Sequence, residues 1–549
     1  MKKYIFLAIA LLGLASCAKE DLTNGNEPIH NGEIEESYIA INLSASDITR
    51  AEGDDAPAFE DGEEAERAVS HADFFFFDEA GNPFAVTGNP ATTPGGGINH
   101  LRAVDVRFGA DNTTEGDDIS DSSNAVLLLS TYKGHYPSQI VAVLNWSPSN
   151  DKSYSLNDLH DAVAIQGSFK NDPDVDVYTN YFVMSNAVYA QGTTEVCATP
   201  LTIENIKTTE KDALAAPVNI YVERVAAKVS VIANETGKYL LTGEGETGVY
   251  AQILGWDLYR DNPQSKLLKD IDPITWTADD LGFNWNDSPW YRSYWATSLE
   301  AVTGEIYENG KAAGAYTYIG ENTTGKETCT KAVIKAQLVK KVDGVDKPLE
   351  LAIWNNVEYV EDINLRTAVA NTLKNTYFAK TGEGDAVVYT GLKPEDLVCK
   401  SGDFNGVKAN EVYFQLSTTG KGKNWYKLVD GKYEPVANDT ANDVNSVAAT
   451  NAALKSVPAA VLYEDGYTFY YVDIKHLGAS GKDAEYGIVR NHIYNVTINS
   501  ITGYGSPVYT GTEFIDYPQI SDQKSFVSAQ INILSWRLVN QVVDIQPNN

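Results

Sequence analysis

Tyr38-Ile39-Ala40-Ile41-Asn42-Leu43-Ser44-Ala45 alternates: Ile39, Ile41, Leu43 and Ala45 fall on one side, and Tyr38, Ala40, Asn42 and Ser44 on the other. A period of two puts every second side chain on the same face of an extended chain, so the stretch reads as a strand with one apolar face. It stops at Ser46-Asp47-Ile48-Thr49-Arg50, and Ala51-Glu52-Gly53-Asp54-Asp55-Ala56-Pro57 after it has no pattern that would pack. Before it, residues 18–37 are polar and acidic and read as a tether. Arg50 is the sole Lys or Arg between Lys19 and Arg67. In a flexible linker it is open to a trypsin-like protease; an ordinary surface arginine is the other reading.

Downstream the same period recurs. Ala72 to Phe77 and Phe84 to Val86 flank a turn over Asp78 to Pro83. Ala125 to Tyr132 and Ile140 to Asn145 are apolar runs of buried-strand length. Val218 to Ile232, Ile253 to Tyr259, Lys331 to Leu338, Val412 to Leu416, Ala460 to Ile474 and Ile493 to Ile501 continue the pattern. Such strands between Gly, Asn, Asp and Pro turns predict an all-β protein of sandwich type. Two short helices are expected over sheet ends. One is capped by Ser155 with Asp158 three residues on; the other starts at Asp362, with Leu365, Val369 and Leu373 on one face. No repeat of 20–50 residues is present. A domain boundary is expected in Lys207 to Pro217.

Composition narrows the function. The chain has 549 residues and a formal charge of −33, with 32 Tyr, 2 Met and 4 Cys. An acidic surface excludes general phosphate-backbone binding, so no nucleic acid is expected as partner. Four cysteines cannot build a dense disulfide scaffold. Apart from the N-terminus, no run is apolar for the roughly 20 residues of a membrane span.

Lys2 and Lys3 followed by the apolar Tyr4 to Leu14 form a secretory signal. Its end, Leu14-Ala15-Ser16-Cys17, resembles a bacterial lipobox, in which Cys17 becomes the lipid-bearing N-terminus; the alternative is a common signal with a chance cysteine. A lipid there would anchor the precursor to a membrane. Cys197, Cys329 and Cys399 lie far apart and read as buried free thiols.

No catalytic residues, cofactor or metal site are expected. HExxH, GxSxG and CxxC do not occur. Gly478-Ala479-Ser480-Gly481-Lys482 lacks the first glycine of a phosphate loop, where His476 stands. Asp172, Asp174 and Asp176 alternate like a calcium loop, but Val177 replaces its glycine and Val183 its last glutamate. Trp285, Trp290, Tyr291, Tyr294 and Trp295 could stack on sugar rings or simply fill a core.

Several stretches, in order along nearly the whole chain, resemble the Bacteroidetes-type fimbrillins, subunits of type V pili, and most closely the larger, minor-fimbrium shaft subunits. They are Ile48-Thr49-Arg50-Ala51, Tyr181 to Asn186, Val222-Glu223-Arg224-Val225-Ala226-Ala227-Lys228-Val229, Gly255 to Leu258, Tyr291 to Ala296, Gly487-Ile488-Val489-Arg490-Asn491-His492-Ile493-Tyr494 and Ile533 to Trp536. Residues 376–460 carry the fewest such landmarks.

The resemblance implies two transthyretin-like β-sandwich domains with a few short helices. It implies a lipoprotein signal peptide over 1–17, a propeptide with a removable strand over 18–50, an N-terminal domain over 51–215 and a C-terminal domain over 216–549. It further implies lipidation at Cys17, cleavage between Arg50 and Ala51 by an arginine-specific protease, and polymerisation by strand exchange. The strand carrying Ile39, Ile41 and Leu43 would fill a groove in the precursor and leave after cleavage, and a neighbour's strand would replace it. The candidate donor is the C-terminal tail, with Ile531, Ile533, Trp536, Leu538 and Val543; its alternation flips phase at Leu534-Ser535, which predicts a bulge or a break. The same tail could instead be the last internal strand pair of the second domain.

The expected function is thus a non-enzymatic fimbrial shaft subunit supporting adhesion and biofilm formation. Its expected partners are other fimbrial subunits, the protease, the outer membrane through the precursor's lipid, and host or bacterial surface receptors. Its expected location is the cell-surface fimbria, with the precursor in the outer membrane. A surface glycan-binding lipoprotein and an accessory tip or anchor subunit are the alternatives.

Overall fold

The computed structural model describes residues 34–45, 59–60, 66, 69–86, 97–104, 123–132, 134–165, 181–242, 247–262, 264–272, 274–282, 296–299, 310–400, 411–436, 444–476, 478–507 and 526–536. The class is all-β, with few and short helices.

The first body is built from β1 (Ile34–Ala45), β2 (His71–Phe77), β3 (His100–Val104), β4 (Ser123–Tyr132), β5 (Gln139–Leu144), β6 (Met184–Asn186) and β7 (Val218–Arg224). They form one eight-stranded sheet in the order β3-β2-β5-β6-β7-β1-β4, with Thr199–Pro200 beside β5. The sheet curls. Leu127 and Leu129 of β4, at one end, share a core with Phe74, Ile140 and Ile220, and Leu101 of β3, at the other end, packs against it. Phe75 and Phe77 point to the opposite face, where they meet Val141, Leu159 and Leu268. Burial on both faces explains why Phe74 to Phe77 can all be apolar.

Leu159 belongs to α1 (Leu156–Asp161), which starts where the sequence places it: Ser155 and Asp158 form the capping box. A second short helix, α2 (Glu210–Leu214), lies against β1. Phe84 to Val86, expected as a strand, is irregular. Its N–H groups bond to Phe76 and Ile98 carbonyls, and Pro83 ahead of it has no N–H for a ladder.

The expected strand Val218 to Ile232 is two strands in two sheets. It divides at Val225-Ala226, where the chain passes from the first sheet to the second. Both residues are fully buried, so the apolar pattern runs through the changeover without a break.

The second body is a sandwich. It contains β8 (Ala227–Ile232), β9 (Val249–Tyr259), β10 (Lys331–Val342), β11 (Tyr467–Asp473), β12 (His492–Thr502) and β13 (Phe526–Trp536). One five-stranded sheet runs Tyr316–Ile319, β8, β12, β13, Phe59–Glu60. The facing sheet carries β9, β10 and β11 side by side. Val229, Trp256, Ile334, Tyr470, Tyr494 and Val496 fill the space between them.

Between β10 and β11 the chain builds a third core. A five-stranded sheet including Leu351–Trp354, Glu411–Leu416 and Ala460–Tyr463 packs with a four-stranded one including Tyr377–Thr381 and Asn424–Val429. Helix α3 (Asp362–Leu373) closes it with Leu365 and Val369, as its spacing predicts, against Phe414 and Trp425. The expected strand Ala460 to Ile474 therefore also splits, at a turn where Asp465 takes a φ of 51°.

Candidate strand-exchange site

Strand β1 sits inside the first sheet, not at its edge. It runs parallel to β7, from Ile41 opposite Val218 to Ala45 opposite Val222. It runs antiparallel to β4, from Ile34 opposite Tyr132 to Leu43 opposite Ser123. Ile39 and Ile41 are 0% exposed and belong to the first core. The register also places Leu43 within both ladders, opposite Ile220 and Ser123.

The edge of β1 ahead of the β7 ladder is bridged too. Tyr38 N–H donates to the Lys207 carbonyl at 2.7 Å, and Lys207 N–H returns a bond to Tyr38 O at 2.9 Å. Helix α2 follows at once, capped by Thr209, whose hydroxyl accepts from Asp212 N–H. Ala40 is buried as a result. Near the start of the strand, Tyr136 Oη–H donates to Glu35 at 3.2 Å. Sequence reading missed this strap, although Thr209-x-x-Asp212 has the spacing of a helix start.

Burying Ile39 and Ile41 contributes roughly 1.5–3 kcal/mol each, while ordering a free strand costs about 1–2 kcal/mol per residue. Over the 12 residues of β1 the ordering cost exceeds the gain from those two side chains, so a separate peptide depends on ladder bonds and further contacts as well. Attachment to the body tips the balance, because a tethered strand meets its groove at millimolar effective concentration.

A second set of landmark residues meets where the two bodies join. Glu66 is fully buried: its carboxylate pairs with Lys228 Nζ at 2.9 Å, Tyr318 donates to it, and Arg224 Nε donates to its backbone carbonyl at 2.7 Å. Glu223 pairs with Lys269 at 3.1 Å, and Arg490 with Glu321 at 2.7 Å. Arg490 also donates to the carbonyls of Lys266 and Leu267. Burial pushes the Glu223 carboxyl up and the Lys269 ammonium down, against their mutual attraction. His492 is held neutral, down to about 3, by burial and then by the nearby Lys269 charge. The Glu223-to-Lys228 and Arg490-to-Tyr494 stretches, far apart in sequence, thus share one buried joint.

The tail candidates divide. Ile531, Ile533 and Trp536 lie in β13, where Ile533 stands opposite Tyr494 and Ile531 opposite Val496. The ladder runs unbroken through Leu534-Ser535; its irregularity is in the partner strand, between Ile498 and Ser500. Leu538 and Val543 lie outside the described residues, as do Cys17, Arg50, Ala51, the Asp172 to Asp176 loop and the aromatic cluster Trp285 to Trp295.

Cys197, Cys329 and Cys399 are free, and burial pushes the first two up to about 12 and about 11 and the third well up as well. His160, Glu195 and Asp270 come together as metal ligands could. Their charges are already satisfied: His160 bonds to Glu195, Glu195 accepts from Ile271 N–H, and Lys266 pairs with Asp270.

Residues 461–541, which hold β11, β12 and β13, match the family model described as major fimbrial subunit protein type IV, fimbrillin, C-terminal. Over that region the chain is similar to fimbrillins, a likeness consistent with a fimbrial structural or adhesive role at the cell surface. No curated relative matches it.

Among solved structures, the chain is similar to a candidate cell adhesion protein of Bacteroides eggerthii, with 12% identity, 91% of this chain and 96% of that one covered, and a TM-score of 0.35. A candidate cell adhesion protein of Parabacteroides distasonis gives 11%, 90%, 97% and 0.35. A fimbrial assembly protein of Parabacteroides distasonis gives 14%, 59%, 85% and 0.28. At these TM-scores the likenesses carry no weight for fold or function.

Proposed function

We propose that the chain is the precursor of a fimbrial shaft subunit that polymerises by exchanging β1 for a strand of its neighbour. One observation carries the reading: β1 completes the interior of the first sheet, yet its alternation ends just ahead of Arg50-Ala51. Cleavage there by an arginine-specific protease turns β1 from a tethered strand into a separate peptide. Its departure uncovers the edges of both β4 and β7 and the apolar floor beneath Ile39 and Ile41, which is an acceptor for strand addition.

Lipid on Cys17 would hold the precursor at the outer membrane until that cut. A head-to-tail contact of groove and tail does not close on itself, so repetition yields a filament rather than a ring. Ordering the incoming tail offsets much of the gain from burial, so the joint owes its durability to slow unfolding. Adhesion, biofilm support and contact with surface receptors belong to the filament.

The test is N-terminal sequencing of protein sheared from cells, with negative-stain microscopy of the same material. The expected result is an N-terminus at Ala51 on filaments of repeating subunits. A lipid-bearing monomer that retains residues 18–50 overturns the proposal.

A further inference from the structure

We propose that Lys269 and Glu223 become covalently joined once the chain has folded: Lys269 Nζ condenses with the Glu223 side-chain carboxyl to an isopeptide bond, which ties the segment after β9 to β7 across the joint between the two bodies. Among the described residues this is the one lysine–carboxylate pair with both side chains almost wholly buried, at 0% and 2% exposed. Nζ stands 3.1 Å from Oε2, one bond away from the carbon it would attack. The other buried pairs differ in kind. Arg490 and Glu321 lie as deep, but a guanidinium keeps its proton and is no nucleophile. Glu66 is satisfied by both Lys228 and Tyr318, and Lys228 also lies over the Tyr316 ring at 4.1 Å. In the Lys331–Asp473 and Lys423–Asp396 pairs one member reaches solvent. Glu223, by contrast, keeps Oε1 buried with no hydrogen-bond partner among the described residues. A buried carboxylate needs both oxygens hydrogen-bonded to be stable as an anion, whereas an amide has only one oxygen to satisfy.

Both groups are held in place. Glu223 stands opposite Ser185 of β6, and Ser185 Oγ–H donates to the Leu267 carbonyl at 2.6 Å. Arg490 donates to the carbonyls of Lys266 and Leu267. The residues just ahead of Lys269 are thus fixed to both bodies, and the fully buried Leu267 and Leu268 keep water out. Reactants fixed in contact behave as if highly concentrated. In bulk water the two ions and the surrounding solvent oppose condensation; here the ions are the costly state. Burial raises the Glu223 carboxyl and lowers the Lys269 ammonium, which favours the neutral acid and the neutral amine that react.

The step balances without oxidant or cofactor. The Nζ lone pair forms a C–N bond at Cδ, the bond from Cδ to the protonated oxygen breaks, one amine proton goes to the departing hydroxyl, and one water leaves. The Arg490 charge acts on Glu223 and favours the negative oxygen formed on the way. The Glu321 charge acts on both partners and can carry the proton.

The bond needs neither the cut at Arg50 nor a second copy. Its use lies in the proposed filament, where the groove belongs to the first body and the tail to the second, so a pull along the axis crosses the joint. A link between residues 46 apart keeps the stretch between them, with β8 and β9, from being drawn out.

The experiment is peptide mapping of the full-length precursor, unfolded in guanidinium and digested with trypsin. The expected product is a branched peptide, Asp212–Arg224 joined to Leu267–Arg292 at the sum of their masses less one water, with fragmentation placing the link at Glu223 and Lys269. Acylated Lys269 is closed to trypsin, so cleavage after Lys269 together with free Asp212–Arg224 overturns the proposal and leaves the exchange reading standing. Lys269→Arg keeps the ion pair and is expected to abolish the branched peptide; its persistence overturns the assignment. Glu223→Gln, which loses ammonia in place of water, is expected to give a branched peptide of the same mass as the parent.

Discussion

Strands β1 and β13 are of similar length and both lie within sheets, but they are held differently. β1 is laddered on both sides, to β7 and to β4, and bridged ahead of β7 by Lys207. β13 has one long ladder, to β12, and on its other side, among the described residues, Phe59 and Glu60 opposite Ser535 and Trp536. Removing β1 opens two edges within a sheet; removing β13 opens the edge of β12. The strand with more bonds is the one attached through the linker that holds Arg50. The difference teaches that, under the proposed exchange, the covalent tie rather than the number of ladder bonds decides which strand leaves.

The largest expected effect breaks the comparison at the tie. Arg50→Ala is expected to leave a folded precursor that forms no filaments in negative stain, and normal filaments from it would strip β1 of its role. Next is the joint, which both the precursor and the matured protein contain. Glu66→Gln leaves Lys228 buried without its counter-charge and is expected to cost about 3–5 kcal/mol in denaturant unfolding of either form. Ile41→Ala sharpens the contrast: about 2–5 kcal/mol lost from the precursor and nothing from the matured chain once β1 has gone. Equal losses in both forms would mean that β1 stays.

Acid reads the joint next. His492 is neutral when folded, down to about 3, while an unfolded histidine takes up its proton near pH 6.5. Between those values the unfolded chain binds the extra proton. The stability contributed by neutral His492 is thus complete above about pH 6.5 and falls by about 1.4 kcal/mol per pH unit below it. His492→Gln is expected to flatten that part of a melting-temperature profile. The smallest effect is a control remote from both strands: Ser155→Ala removes the cap of α1 and is expected to cost about 1 kcal/mol in both forms alike.

Alternation made β1 legible as a strand, and Asp362, Leu365 and Val369 made α3 legible as a helix. Partnership was not legible. Period two says which residues share a face, not which strand lies beside it, so nothing in Tyr38 to Ala45 pointed to Val218 to Val222 as a parallel neighbour. The breaks at Val225-Ala226 and at Asp465 were hidden because buried residues flank both. The third core was hidden for the same reason: its strands alternate like all the others. Glu66 was invisible because a lone glutamate in an acidic stretch gives no sign of burial. The fimbrillin-like landmarks at Glu223 to Lys228 and Arg490 to Tyr494 were visible as motifs, but only the fold shows that they are two halves of one buried joint.

That third core is seated on the second body: Tyr504 Oη–H donates to Glu358, Tyr463 Oη–H donates to the Gly505 carbonyl, and Leu349 and Leu351 share a buried cluster with Val249 and Leu338. Gln337 of β10 stands opposite Tyr467 of β11, and Leu351, where the added chain begins its own sheet, stands opposite Tyr463, where it ends. The added chain departs and returns through neighbouring strands, so a change of length between Leu351 and Tyr463 leaves the register of the β10–β11 ladder as it is.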